Sequence, residues 1–79
     1  MINQAKQDCI VEVFRTDVSS ASEAIGVLEQ LKQMFPQTKF NFDLDDCDKV
    51  LRAEGKYIQV AAVIELLSKN RYRCELLPD

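Results

Sequence analysis

The chain of 79 residues is 47% hydrophobic and 29% charged, an ordinary composition for a single globular domain with one core. Its formal charge of −3 and its sequence pI of about 4.8 argue against binding to a nucleic-acid phosphate backbone. The sequence contains no histidine, so it lacks both the commonest general base and the commonest metal ligand.

The ends and the cysteines of the chain bear on where the protein works. Residues 1–8 are polar and unlike a signal peptide, and the longest apolar run, residues 60–64, is far shorter than a membrane span. Three widely spaced cysteines, Cys9, Cys47 and Cys74, do not suggest a disulfide framework. We therefore expect one cytoplasmic domain over residues 8–77, preceded by a polar tail over residues 1–7, with no membrane partner.

The first predicted element is a strand over residues 8–16, where apolar residues occur at both odd and even positions. We expect Val11 and Val13 to face the core. The two predicted faces are Cys9, Val11 and Val13 on the inner side, and Ile10, Glu12, Phe14 and Thr16 on the outer side.

A helix and a second strand follow. Ser20 and Glu23 have the spacing of a capping box, and apolar residues then recur at helical spacing, which predicts a helix over residues 21–34. Pro36 ends this helix, because the residue before a proline is pushed out of the helical region. Residues 38–44 alternate strictly between apolar and polar, which is the clearest strand pattern in the chain.

The second half of the chain repeats these signals. Residues 45–48 are rich in short carboxylates, which favour turns because they bond their own backbone. They predict a hairpin into a strand over residues 49–54. A second apolar stripe predicts a helix that begins near residues 56–57 and ends with Asn70 as its cap. Alternation over residues 71–76 predicts a last strand.

The resulting order of elements, β-α-β-β-α-β, is typical of an α+β ferredoxin-like sandwich. Right-handed crossovers place the third strand between the first and second, so we predict a four-stranded sheet in the order 4-1-3-2. Half-polar strands favour two helices on one face of the sheet and an open second face. The predicted core comprises Val11, Val13, Ala24, Leu28, Leu31, Phe40, Phe42, Leu51, Val63, Leu67, Tyr72 and Cys74.

Three stretches of the chain together resemble one known domain family. Residues 16–22 end a strand and open a helix, residues 40–53 form a hairpin, and residues 63–72 join a helix to an aromatic residue before the last strand. In length, order of elements and apolar positions they are similar to the heavy-metal-associated domain of copper chaperones and P-type metal pumps. The resemblance extends over about residues 9–77 and implies the same fold.

The metal-binding loop of that family carries a Met-x-Cys-x-x-Cys motif between the first strand and the first helix. In this sequence the two thiol positions align with Ser19 and Ser22. Copper(I) prefers soft thiolate ligands, and a serine hydroxyl is a hard, weak ligand. The resemblance therefore implies the fold with a degenerate metal site. We expect both serines to serve as helix-cap and first-turn residues, with no metal or cofactor bound.

The densest polar cluster of the sequence is the predicted hairpin turn, formed by Asp45, Asp46, Cys47 and Asp48. The predicted topology places this turn at the same end of the domain as the two serines. One thiol and several carboxylates leave open an alternative function, a copper or zinc site relocated to the hairpin. The ligand set mixes hard and soft donors, and the other interpretation is a solvated acidic turn.

No group of residues in the sequence has the make-up of a known catalytic centre. An acylphosphatase-like site on this fold needs a glycine-containing loop with an arginine that holds a phosphate, and the first loop contains no glycine. An RNA-binding sheet of this topology displays aromatic residues on its central strands, where we expect only Phe14. We therefore expect a protein that is not an enzyme and binds no nucleic acid.

The predicted open face of the sheet combines apolar and charged side chains, as protein interfaces do. An aromatic residue at the centre of such a patch tends to carry binding energy, so we expect Phe14 to be the anchor. This pattern favours a partner protein or a homodimer bound through the open face. The predicted interaction residues are Ile10, Phe14, Val50, Arg52, Arg73 and Leu77.

Overall fold

The computed structural model describes residues 9–78, so the polar tail predicted for residues 1–7 lies outside the described part of the chain. No helix among these residues is long and apolar enough to cross a membrane. The elements follow in the predicted order: β1 (Ile10–Thr16), α1 (Ala21–Met34), β2 (Lys39–Asp43), β3 (Val50–Gly55), α2 (Val60–Lys69) and β4 (Cys74–Leu76).

The four strands form one open antiparallel sheet in the order β2-β3-β1-β4. Read from the other edge, this is the predicted order 4-1-3-2, and the α+β class is confirmed. β1 is a central strand, in which Phe14 pairs with Leu51 of β3 on one side and with Leu76 of β4 on the other. β2 and β4 are therefore the edge strands of the sheet.

The start of α1 is capped as the sequence predicts. The Ser20 hydroxyl accepts a hydrogen bond of 3.2 Å from the backbone N–H of Glu23. The Glu23 carboxylate in turn accepts a hydrogen bond of 3.2 Å from the backbone N–H of Ser19, one residue earlier than in a standard capping box. The bond to the Glu23 amide satisfies one of the amide groups that the first turn of a helix leaves free, and the bond to Ser19 ties down the residue before the cap. The helix accordingly occupies the predicted residues, Ala21–Met34.

α2 begins about one turn later than the sequence predicts. It starts at Val60, so the predicted start near residues 56–57 is wrong. Its N-cap is Gln59, whose side chain makes no capping hydrogen bond within residues 9–78. The segment before the helix contains no Ser, Thr, Asp or Asn, the residues that cap helices well. Apolar spacing alone therefore could not locate this start.

The end of α2 is closed by a Schellman motif. The backbone N–H of Tyr72 donates to the carbonyl of Leu67, and that of Arg71 donates to the carbonyl of Ser68, both over 2.9 Å. Asn70 is the C-cap, as predicted. The next residue, Arg71, has a φ of 70°, in the left-handed region that favours glycine. This arginine therefore carries backbone strain.

β1 turns the opposite face toward the core from the one we predicted. Phe14 is fully buried and Thr16 is 6% exposed, whereas Val11 is 47% exposed. The prediction that Val11 and Val13 face the core is wrong. The prediction that Phe14 and Ile10 lie on the open face is wrong as well, since Ile10 shares the side of Phe14.

Two properties of β1 explain why this face is the buried one. Phe14 has the largest apolar side chain of the strand and gains most from burial. Thr16 can be buried beside it because its hydroxyl donates to the Lys49 carbonyl over 2.6 Å and accepts from the Val18 N–H over 3.2 Å. Glu12 shares this face near the start of the strand, where it is only partly buried.

One hydrophobic core fills the space between the sheet and the helices. Phe14 and Leu51 from the sheet, Leu31 from α1 and Leu67 from α2 are fully buried in one cluster, so both helices cover the same sheet face. The predicted core residues found buried are Ala24, Leu31, Phe40, Leu51, Val63 and Leu67. Those packed at its margin are Leu28, Phe42, Tyr72 and Cys74. Core residues that the sequence did not single out include Val18, Val27 and Leu66.

Candidate functional site

Three connections meet at one end of the sheet: the β1–α1 loop, the β2–β3 turn and the α2–β4 loop. The backbone N–H of Thr16 donates to the carbonyl of Asp48 over 3.1 Å. The backbone N–H of Arg73 donates to the carboxylate of Asp17 over 2.8 Å. The acidic turn therefore lies at the same end of the domain as Ser19 and Ser22, as predicted.

Both of these serines are exposed and take part in the first turn of α1. The Ser19 hydroxyl lies 3.4 Å from the Glu23 carboxylate oxygen that its own N–H also reaches. The Ser22 hydroxyl lies 3.4 Å from the hydroxyl of the cap residue, Ser20. Neutral hydroxyl groups bind soft metal ions poorly. The chemistry of this loop is that of a helix cap.

The β2–β3 turn brings three potential metal ligands together. One ligand atom from each of Asp46, Cys47 and Asp48 lies within 4.8 Å of the others, whereas Asp45 does not belong to this group. Both carboxylates in the group already have partners. Asp46 accepts a hydrogen bond of 2.8 Å from the N–H of Asp48, and an oxygen of Asp48 lies 3.4 Å from the Arg15 guanidinium. Three largely exposed donors of mixed softness make a weak metal site.

The three cysteines differ in their access to solvent. Cys9 and Cys47 are exposed, whereas Cys74 is partly buried on the core side of β4. Burial, with a smaller contribution from the neighbouring Glu75 carboxylate, raises the pKa of the Cys74 thiol to about 12. Cys74 is therefore protonated at neutral pH and acts as a packing residue.

The open face of the sheet carries an apolar patch within a polar surface. Val11 and Val13 project from β1 onto this face, where they pair with Glu54 and Arg52 of β3. Leu77 lies beside Val13, because its backbone N–H donates to the Val13 carbonyl over 2.8 Å. Val11 is 47% exposed, and Val13 and Leu77 are half-buried. We call Val11, Val13 and Leu77 the open-face patch.

A further apolar residue of this face, Val50, is covered by charged neighbours. Arg15 is its cross-strand partner in β1, and the Arg15 guanidinium lies 3.4 Å from Asp48 and 3.3 Å from Glu75. Val50 is consequently only 8% exposed. Exposed ion pairs of this kind contribute little to stability, so a partner can rearrange them at small cost.

The structure places only some of the predicted interaction residues on the open face. Arg52 is exposed on the open face and Arg73 is exposed at the start of β4. Leu77 is half-buried on the open face. Val50 lies on this face as predicted, but its near-complete burial makes it wrong as a contact residue.

Two other predicted contact residues lie elsewhere. Phe14, the expected anchor, is in the core, and Ile10 is 44% exposed at the start of β1 on the helix-covered side of the sheet. Sequence reasoning assigned Val11 and Val13 to the core and therefore missed them as open-face residues. The size of the Phe14 side chain was the signal that could have corrected this.

A shallow cleft of about 320 Å³ lies at the opposite end of the domain from the acidic turn. Met34 and Pro36 line it from the end of α1, and Tyr57 lines it from the segment between β3 and α2. Met34 is 61% and Tyr57 is 75% exposed. The segment before α2 has no periodic pattern, so the sequence contained no signal for this cleft.

Comparisons with models of protein families, with curated protein sequences and with solved structures find no match to this chain.

Proposed function

We propose that this chain is a non-enzymatic cytoplasmic domain that binds a partner protein through the open face of its sheet. It is a ferredoxin-like domain related to the heavy-metal-associated domains, and it holds no metal in the loop that binds metal in that family. The observation that carries the proposal is the open-face patch, three apolar residues on a sheet face that neither helix covers.

The surroundings of the patch support a protein as the ligand. Arg15 and Arg52 supply positive charge on this face, and Glu54 and Glu75 supply negative charge. An apolar centre within a rim of mixed charge is the usual anatomy of a protein interface. Charges of both signs select a partner with a complementary pattern and discourage binding to a uniformly charged polymer.

The β1–α1 loop supports the same proposal. Ser19 and Ser22 replace the sulfur ligands that copper(I) requires with hydroxyl groups that bind the Glu23 carboxylate and the cap residue. A related domain that keeps the fold and lacks the metal ligands acts through contacts between its surface and other proteins.

The experiment that tests the proposal compares partner capture by the wild-type chain and by a Val11→Ser, Val13→Ser double variant. Both substitutions remove methyl groups from the open face and leave the core intact. We expect capture from the native extract to fall at least about tenfold, because truncating central apolar contacts costs 1 kcal/mol or more each.

The matched control is Tyr57→Ser, which removes a more exposed and larger side chain at the far end of the domain. It should capture the same partner as the wild type. A folded double variant that captures the same partner in the same amount would contradict the proposal.

Metal handling at the β2–β3 turn is the second candidate function. One observation favours it: the ligand atoms of Asp46, Cys47 and Asp48 already lie within 4.8 Å of one another. The protein as purified should then contain copper or zinc near stoichiometry, and Cys47→Ser should abolish that content. Cys9→Ser, which removes another exposed thiol, is the control. Our proposal predicts no metal near stoichiometry in any of these proteins.

A further inference from the structure

β2 leaves one side of its backbone without a partner strand. It is the first strand in the sheet order, and it pairs through one edge with β3. Its other edge faces no strand among residues 9–78. The N–H and C=O groups along such an edge are a ready template for another extended segment.

The sequence of β2 is complementary to itself when it is read in the antiparallel direction. The strand reads Lys-Phe-Asn-Phe-Asp. If two copies pair about Asn41, Lys39 of each copy lies opposite Asp43 of the other, and Phe40 lies opposite Phe42. Opposite charges in cross-strand positions stabilise a pair of strands, and like charges destabilise it. Side chains alternate along a strand, so both phenylalanines remain on the helix-covered face.

The flank of α1 above this edge carries two apolar residues beside the exposed Lys32. Gln30 of α1 exchanges hydrogen bonds of 3.0 and 3.1 Å with Asn70 beyond α2, so this side of α1 faces α2. Ile25 and Leu28 lie about 140–160° around the helix from Gln30, on the flank away from α2. Ile25 is 57% exposed and Leu28 is half-buried.

That flank of α1 stands over β2. The Phe35 ring that follows the helix packs against Phe40 of β2, with ring centroids 6.0 Å apart. α1 therefore covers the edge strand, and Ile25 and Leu28 overhang the free edge. The apolar overhang and the self-complementary strand are two independent features of the same border of the domain.

We propose that a second copy of this chain pairs with the first through β2, antiparallel and about a two-fold axis near Asn41. The two four-stranded sheets become one continuous sheet. Two Lys39–Asp43 pairs flank the axis on the open face, and Ile25 and Leu28 of each copy lie along the junction on the helix face. The open-face patch lies on the central strand β1 and stays free, so this dimer is independent of the partner binding proposed above.

The test is the molecular mass in solution, measured by sedimentation velocity over a series of micromolar concentrations. The wild-type chain should associate to a dimer. Lys39→Glu places an acid opposite Asp43 of the second copy at two symmetric positions, so the dissociation constant should rise at least about tenfold. The double variant Lys39→Glu, Asp43→Lys exchanges the charges within one chain and should restore the dimer.

Lys56→Glu is the matched control, because it makes the same change of net charge at an exposed position outside β2. It should dimerise like the wild type. Lys39 also pairs with Glu54 of its own hairpin. If Lys39→Glu fails to fold, Asp43→Lys is the alternative, because residue 43 lies opposite the uncharged Val50 within the chain. In the dimer it places a lysine opposite Lys39 of the second copy.

A wild-type chain that stays monomeric throughout the series would overturn the proposal. So would a dimer that Lys39→Glu and Asp43→Lys leave unchanged, or a charge exchange that does not restore association. The Val11→Ser, Val13→Ser variant should keep the dimer even where it loses the partner. A dimer that this variant dissolves would lie on the open face, which would contradict pairing through β2 while leaving open-face binding in place.

Discussion

Replacement of Phe14 by alanine tests which face of β1 is buried. Phe14 is fully buried in the central strand, between Leu51 of β3 and Leu76 of β4. Truncation of a buried phenylalanine costs about 3–5 kcal/mol, because apolar burial is lost and a cavity remains. Val11→Ala removes methyl groups from a side chain that is 47% exposed on the other face. We expect that change to cost less than about 1 kcal/mol.

The measurement is urea unfolding followed by circular dichroism, with the free energy of unfolding extrapolated linearly to water. Small domains are stable by only about 5–15 kcal/mol, so Phe14→Ala approaches the limit of what such a fold tolerates. Phe14→Leu should cost about 1–2 kcal/mol and keeps the protein within range of the assay. A loss below about 1 kcal/mol for Phe14→Ala, with a larger loss for Val11→Ala, would refute the assignment of the faces.

Four further predictions concern the helix ends and the thiols. Ser20→Ala should lower the free energy of unfolding by about 1 kcal/mol in the same assay, because the Glu23 amide loses its hydrogen bond to the Ser20 hydroxyl. No change in stability would show that this hydrogen bond is not formed. Arg71→Gly should raise it by about 0.5–1 kcal/mol, because glycine adopts the φ of 70° without strain; a loss of stability would contradict the Schellman geometry. The double change Ser19→Cys, Ser22→Cys should raise the affinity for copper(I) by orders of magnitude in a chelator competition, because two thiols then lie at a helix N-terminus. An affinity like that of the wild type would show that this loop does not align with the metal-binding loop of heavy-metal-associated domains. Alkylation of Cys74 should stay slow at neutral and mildly alkaline pH, because only a small fraction of the thiol is ionised well below its pKa of about 12. Labelling at neutral pH as fast as at the exposed cysteines would contradict its burial.

Local signals in the sequence were sufficient for several elements. α1 was predictable at both ends, because Ser20 supplies a cap and Pro36 stops the helix. The acidic turn was predictable because Asp46 bonds the backbone of Asp48, as short carboxylates do in turns. The order of strands followed from the handedness of the crossovers, which holds whatever the side chains are.

The errors arose where local signals were balanced or missing. β1 carries apolar residues on both faces, so its apolar pattern is compatible with either face being buried. The prediction chose the wrong face and placed Phe14 on the open side of the sheet. Besides the size of the Phe14 side chain, tertiary contacts such as the hydrogen bond from Thr16 to Lys49 decide between the two faces. The same error affected the prediction of the candidate site. The prediction placed Phe14 on the open face, where the structure has Val11 and Val13, two of the three residues of the open-face patch.

In-cell photo-crosslinking from position 11 tests the central proposal most directly, because it reports contact at the open face itself. A photoreactive amino acid replaces Val11, and a second chain carries the same group at position 57, which is also exposed. We predict a discrete adduct with one partner protein from position 11 and none of that adduct from position 57. Equal adducts from both positions, or no adduct from position 11 in a folded chain, would contradict binding through the open face.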